Sequence, residues 1–413
     1  MTRKRLWVVL GSLVVLLLAT TALASAAPYP YAAPGPYESG WQFVSCPEGG
    51  VISFSAKLYY PATADGENTP YNGGGAPYPA VSFGHGFLQD PDGYRATFNH
   101  LASHGYFVIV PETEQGLLPN HSDFADDLSY CLDYLEIENG SGGSWLYQQV
   151  DTAAFGVSGH SMGGGASLLA ASRDARIRAA APLAAAETNP SAIAQMPNIA
   201  APVALISGSQ DGITPVANHT QPMYDNGDAP RLLPIIQGGF HCGFLDPGFL
   251  SGIFCDSGSV TRQQQLAVTR HWLVAFFNLY LKGNAADWGY VWGAEMVLDQ
   301  NILTQADPGM TFAPRKLLAG GQPGEQVSYD LVLTNSSAQA DTFTLDAPIV
   351  TQGWQVTVTP AVVTLQPGEA VTVTAVVTIP ASPTAPRQTA AIRAESAVHP
   401  LTYQVAGIRT VVE

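Results

Sequence analysis

From about residue 41 to residue 307, short uninterrupted apolar runs alternate with longer segments whose apolar positions recur three and four apart. The runs at 51–60, 80–83, 106–110, 152–157, 203–207 and 232–236 read as strands. Several are apolar throughout, the mark of strands covered on both faces. The intervening segments read as helices: 93–104, stopped by Gly105; 122–138, with Phe124, Leu128, Cys131, Leu132 and Leu135 at helical spacing; 162–173, rich in small residues; and 263–281. This alternation predicts an α/β domain over 41–308, a mostly parallel sheet with helices on both faces. After Asp307-Pro308-Gly309 the period changes from helical to two. Alternating Val, Thr and Leu at 327–333 and 371–379, with turns such as Gln366-Pro367-Gly368-Glu369 between them, predict an antiparallel all-β sandwich over 312–413.

The N-terminus departs from both patterns. Arg3-Lys4-Arg5 precedes an apolar core at 6–18, and Ala22-Leu23-Ala24 and Ala24-Ser25-Ala26 offer small-x-small cleavage sites. Residues 1–26 therefore read as a signal peptide, and the mature chain is expected to be secreted, with no membrane span. Residues 27–40, rich in Pro, Tyr and Ala, read as an extended leader. A net charge of −16 with only 12% charged residues argues against nucleic-acid binding, which needs a basic patch. Four cysteines, Cys46, Cys131, Cys242 and Cys255, suit an oxidising compartment and allow three pairings. The short loop between them favours Cys242–Cys255, leaving Cys46–Cys131 as a second bridge. No C-x-x-C or His-rich spacing suggests a metal, and no cofactor is expected.

The chemistry concentrates at Gly159-His160-Ser161-Met162-Gly163. G-x-S-x-G is common enough by chance to mean little alone. Here a predicted strand runs into it and a small-residue helix leaves it, as in a nucleophile elbow that exposes a serine Oγ on a sharp turn. A serine hydroxyl needs a histidine to take its proton, and that histidine needs an orienting carboxylate. His241 lies in a glycine-rich loop after the strand 232–236, where a base belongs; His219, His271 and His399 sit in less suitable places. Asp211 follows the strand 203–207 and would reach His241, with a helix cap as its structural alternative. Asp225, Asp228 and Asp246 end no predicted strand. The oxyanion donors are expected at the backbone N–H of Met162 and of Phe87 in the loop after 80–83, with Gly86 as the alternative to Phe87. His85 would brace that loop, and His160 would pack beneath the nucleophile.

These residues resemble those of bacterial cutinase-like polyester hydrolases, and more broadly the dienelactone hydrolase and chlorophyllase relatives among the α/β-hydrolases. The resemblance spans roughly 53–282. It implies an α/β-hydrolase fold, a Ser161–His241–Asp211 triad, and Phe87 in the place of a tyrosine that lines the acyl site. There are two departures. Where relatives active on aromatic polyesters carry an aromatic residue, this chain has Ala184-Ala185-Ala186-Glu187. The bridge near His241 is also expected to close within its own loop, not across to the acid loop. Independently of any family, the fifty positions from Ser161 to Asp211 must hold a helix and two strands, which leaves no room for a lid.

The leading expectation is a secreted serine ester hydrolase acting on an ester or polyester through an acyl-enzyme. A serine peptidase or amidase is the alternative within the same fold, and a non-catalytic surface-binding protein is the alternative outside it. The C-terminal segment resembles the Ig-like modules of secreted bacterial hydrolases. It reads first as a spacer or stability module and second as a contact for polymer or cell surface.

Overall fold

The computed structural model describes residues 29–49, 52–247 and 255–413. The signal-peptide segment lies outside them. Among the described residues no helix is long and apolar enough to cross a membrane.

Six strands form the parallel centre of a large sheet, in the spatial order Phe107–Pro111, Tyr78–Gly84, Val150–Gly159, Ile177–Ala180, Val203–Ala204 and Arg231–Ile236. Antiparallel strands flank it: Ile52–Ala62 and Glu38–Glu48 on one side, Ile302–Asp307 on the other. Side chains alternate across the sheet as strand geometry requires. Phe107 and Ile109 enter one core with Phe124, Leu128 and Leu132 of the helix His121–Gly140. Val108 and Val110 enter the other with Phe98 of the helix Arg95–Ser103 and Trp272 and Phe276 of the helix Arg262–Leu281. Both faces are thus covered, which is why these strands are apolar throughout. The long helices begin where their sequences supply caps. Asn120 accepts the N–H groups of Ser122 and Asp123, and Thr261 forms a capping box with Gln264.

This is the α/β-hydrolase fold. Between Ser161 and Asp211 come the helix Met162–Arg173, the strand Ile177–Ala180, a helical turn at Ala192–Gln195 and the strand Val203–Ala204, with no lid among the described residues. The stretch read as one strand at 203–207 is two short pieces, Val203–Ala204 and Ser207–Gly208. The leader is packed rather than merely extended. Tyr31 stacks on His271 of the closing helix at 5.7 Å, and Tyr29 Oη donates to Asp299 Oδ1 at 2.9 Å.

The C-terminal region forms two sheets, one of four strands and one of five. Gln326–Asn335 and Ala370–Thr378 pair antiparallel at the centre of the first, and Tyr329, Leu331 and Leu333 alternate inward to meet Phe343, Ile392 and Ile408 of the second. One pairing departs from the expected antiparallel pattern: Lys316–Gly321 runs parallel to Tyr403–Val412. This sandwich meets the larger unit around the closing helix and the starts of the parallel strands. Trp288 stacks on Tyr403 with centroids 4.2 Å apart, and Tyr280 Oη lies 2.9 Å from Thr402 Oγ1. A cavity of about 620 Å³ opens at this junction, between Ile177, Pro202 and Tyr280 on one side and His399 and Leu401 on the other.

Candidate active site

The site lies at the opposite end of the sheet, where the parallel strands finish. Ser161 follows the strand Val150–Gly159 and caps the helix Met162–Arg173 with φ 56° and ψ −118°. Such angles are strained for a residue with a Cβ and persist because the surroundings enforce them. The His160 N–H donates to Gly84 O at 2.9 Å, the Ser161 N–H to Leu183 O at 3.0 Å, and the Ala186 N–H to Ser161 O at 2.8 Å. The two motif glycines make the turn sterically feasible. A Cβ on Gly159 would collide with the Gly163 carbonyl, and one on Gly163 with the backbone of Gly84 and His85.

Asp211 and His241 reach the same place from the next strand ends. Asp211 Oδ2 accepts from His241 Nδ1 at 2.8 Å, and both side chains are buried. Asp211 Oδ1 accepts the N–H groups of Ile213 at 2.9 Å and Thr214 at 2.7 Å. Burial alone would raise the Asp211 carboxyl. The His241 hydrogen bond and charge, with those two backbone donors, hold it below the usual carboxylate range. Thr214 Oγ1 sits 3.0 Å from both Asp211 Oδ2 and His241 Nδ1. The His241 loop is clamped by buried Gln265, which accepts the Phe240 N–H at 3.0 Å and donates to Phe240 O at 2.8 Å.

Ser161 and His241 line one cavity of about 460 Å³, with Gly86, Phe87, Ile213 and Leu245. It is smaller than the cavity at the domain junction, but it holds the nucleophile candidate. No hydrogen bond joins Ser161 Oγ to the imidazole, and such contacts commonly tighten only around substrate. The Gly86 N–H donates to Tyr94 Oη at 3.0 Å, so it is occupied, whereas no hydrogen bond among the described residues engages the Phe87 N–H. Met162 begins its helix, where an N–H has no intrahelical acceptor.

His160 has a definite place. Tyr94 Oη lies 2.8 Å from His160 Nδ1, and His160 Nε2 lies 3.1 Å from His241 O. Since Tyr94 Oη accepts from Gly86, its own hydrogen goes to Nδ1, and Nε2–H donates to the His241 carbonyl. Burial and the neighbouring His241 push the His160 imidazole well below its ordinary range, so it is neutral. The oxyanion-side loop, the elbow and the base loop are thereby linked through Tyr94 and His160. His85 Nε2 reaches Thr113 O at 2.7 Å and its ring packs on Phe124 at 4.8 Å, beneath the Phe87 loop. The other histidines weighed as the base are engaged otherwise. His219 Nδ1 accepts the Glu187 N–H, His271 is buried among tyrosines with its imidazole pushed down to about 4, and His399 is in the sandwich.

Cys242 and Cys255 are bonded, closing a bridge within the His241 loop. Cys46 and Cys131, expected as a second bridge, are free. Their buried sulfurs face each other at 2.7 Å, beyond the roughly 2.05 Å of a covalent S–S bond. The strand Glu38–Glu48 and the helix His121–Gly140 bring them into thiol contact, and burial pushes the Cys131 thiol up. Among the described residues no cluster of His, Cys, Asp and Glu is arranged to hold a metal.

Residues 25–242, more than half of the chain, match the family described as PETase, PET hydrolase-like. The chain belongs to that family. Among its curated relatives, Cutinase est1 of Thermobifida alba is 30% identical over 207 residues, 48% of this chain and 66% of that protein. Cutinase cut1 of Thermobifida fusca is 30% identical over 220 residues, 50% of this chain and 65% of that protein. A bis(hydroxyethyl) terephthalate hydrolase of Streptomyces coelicolor is 31% identical over 168 residues, 40% of this chain and 48% of that protein. The chain thus spans just under two thirds of the length of the two cutinases. Thr214, Tyr94 and Gln265 are missing from a motif-based reading of the site. Thr214 lies in the same loop as Asp211 and was open to recognition; Tyr94 and Gln265 reach the site only through the fold.

Proposed function

We propose that the protein is a secreted serine ester hydrolase that cleaves polyesters through an acyl-enzyme. The observation that carries this reading is the convergence of Ser161, the His241–Asp211 pair and the Phe87 loop on one open cavity. Ser161 Oγ attacks the ester carbonyl carbon as His241 Nε2 takes the hydroxyl proton. Asp211 holds the imidazolium through Nδ1–H, and the N–H groups of Phe87 and Met162 receive the developing oxyanion. The tetrahedral intermediate collapses, the C–O bond to the alcohol breaks, and the imidazolium gives its proton to the departing oxygen. A water molecule, deprotonated by His241, then attacks the acyl-enzyme carbonyl; the bond to Ser161 Oγ breaks, the imidazolium returns the proton to Oγ, and the acid leaves.

The surface around the cavity supports a bulky apolar ester. Phe87, Leu88 and Ile213 are exposed at its rim, and Leu117 and Leu118 stand almost fully in water. Phe87, Met162, Leu117, Leu118 and Pro119 also line an adjoining cleft of about 370 Å³. The relatives' names, cutinase and bis(hydroxyethyl) terephthalate hydrolase, agree with an ester of this kind. No aromatic residue stands at 184–187 beside the elbow to stack on an aromatic acyl unit, which favours aliphatic ones. Export through the N-terminal segment, and a spacer role for the sandwich, complete the reading.

The test compares the wild type and Ser161→Ala on p-nitrophenyl butyrate, an aliphatic polyester film and matched amides. Ester turnover should fall by at least about 10⁴-fold in the variant. Equal turnover by the two proteins rejects the mechanism, and amide cleavage rivalling ester cleavage moves the protein to the amidase alternative.

A further inference from the structure

The Cys242–Cys255 bridge stays within its own loop, yet the residue joined to it does not. Asp256 turns its carboxylate onto both loops of the acid–base pair. Its Oδ2 accepts the N–H of Gly212, next to Asp211, at 2.9 Å, and the N–H of His241 at 2.9 Å. Its Oδ1 accepts the N–H of Cys242 at 3.0 Å. One oxygen therefore ties the acid loop directly to the base loop, and the other ties down the half-cystine that anchors it. Hydrogen bonds from N–H groups to an ionised carboxylate are among the stronger kinds. Flanking contacts run the same way: the Ser259 N–H donates to Gln210 Oε1 at 2.8 Å, and the Val260 N–H donates to Gly238 O at 3.3 Å.

The pair Asp211–His241 otherwise holds its two loops together through few atoms. Gln210 N–H bonds Gly239 O at 2.8 Å, and Gly238 N–H bonds Ser209 Oγ at 2.8 Å, both on the strand side of Asp211 and His241 in the chain. Beside the side-chain contacts of Thr214, Asp256 supplies a tie between the backbones that carry the pair, from Gly212 to His241 and Cys242. It is not among the residues that line the Ser161 cavity, and its contacts are with the two loops. Its effect is on where the imidazole stands, and small displacements of such a group are costly: about 1 Å of misplacement can cost on the order of 10²-fold in rate.

We propose that Asp256 is a positioning residue for ester hydrolysis, fixing the Asp211 loop against the His241 loop, with the Cys242–Cys255 bridge as its anchor. This rests on the Ser161–His241–Asp211 reading above. Asparagine is the informative replacement. It keeps the shape, but its amide NH₂ must face a backbone N–H, so at least one of the three donors loses its acceptor.

The experiment uses the oxidised full-length protein, well below its melting temperature, with p-nitrophenyl butyrate as substrate and a p-nitrophenyl phosphonate as a covalent probe of serine activation. Asp256→Asn should lower kcat by roughly 30-fold while KM stays within about twofold, and the phosphonylation rate should fall in parallel. A merely stabilising residue would lower the melting temperature and leave both rates of the folded protein unchanged. That result, or a raised KM at constant kcat, overturns the proposal. Should Asp256→Asn not fold, the double variant Cys242→Ser/Cys255→Ser decides. It should lose about fivefold or more in kcat at similar KM, and wild-type kcat overturns the anchoring. Ser161→Ala, run alongside, separates the two readings. If it is inactive, an unchanged Asp256→Asn defeats only the positioning role; if it is active, the triad fails and the positioning role with it.

Discussion

Around Ser161 the chain is fixed by backbone lying directly on backbone, whereas the loops of Asp211 and His241 are fixed by side chains that reach across and hydrogen-bond. The elbow has almost no slack. Gly163 meets the backbone of Gly84 and His85, and Gly159 meets the Gly163 carbonyl. The acid and base loops depend instead on Thr214, on Gln265, and on Tyr94 acting through His160. A nucleophile must be exposed in a strained conformation, and only rigid packing sustains that strain. A base must accept, carry and return a proton, which hydrogen-bonded loops accommodate. The two halves should therefore fail differently when disturbed.

The sharpest break is Gly163→Ala. Its new Cβ meets backbone that cannot move aside, so stability should fall by about 3 kcal/mol or more. Thermal unfolding followed by circular dichroism checks this, and an unshifted transition would mean that the elbow has the slack denied to it here. A smaller effect is expected from Tyr94→Phe, which acts on the hydrogen-bonded half. It leaves the buried Gly86 N–H and His160 Nδ1 without a partner, at a cost of about 1–3 kcal/mol. Turnover of p-nitrophenyl butyrate should drop by roughly tenfold, because the Phe87 loop and the base loop lose their link. Wild-type turnover would show that the link is dispensable.

The smallest effect concerns pH. Asp127 supports the Phe87 side from below: it accepts from Thr113 Oγ1 at 2.6 Å, and Thr113 O meets His85. Burial, partly offset by that hydrogen bond, pushes its carboxyl up to about 6. The folded state therefore favours the protonated form. The contribution to stability is complete below the ordinary carboxylate range and is lost as pH rises through about 6. On going from pH 7.5 to pH 4.5, the melting temperature of Asp127→Asn should change less favourably than that of the wild type, by on the order of 2 °C. Equal differences would remove Asp127 from the account.

The same contrast explains what could be read from the chain before folding. The elbow was legible because its packing needs specific small residues at fixed spacing, and the candidates Asp211 and His241 followed from strand-end loops. The strand Ile177–Ala180 escaped notice because Ile-Arg-Ala-Ala is short and alanine-rich, with little strand character of its own. The edge strand Ile302–Asp307 is not among the strands read from the sequence, which shows no clean alternation there. Tyr94 stands 66 positions from His160, and no local pattern could join them. Cys46 and Cys131 were matched by arithmetic, but their sulfurs stop short of a bond.

The sandwich joins the larger unit near the starts of the parallel strands, while the Ser161 cavity opens at their finish. A wall or fibre gripping the sandwich would hold the molecule by its heel, with the cleft facing away from the grip. Tension drawn through that attachment would load the closing helix and the strand starts, leaving the reacting groups at the unloaded end. The tethered molecule would then sweep the volume around its anchor rather than graze the surface that holds it.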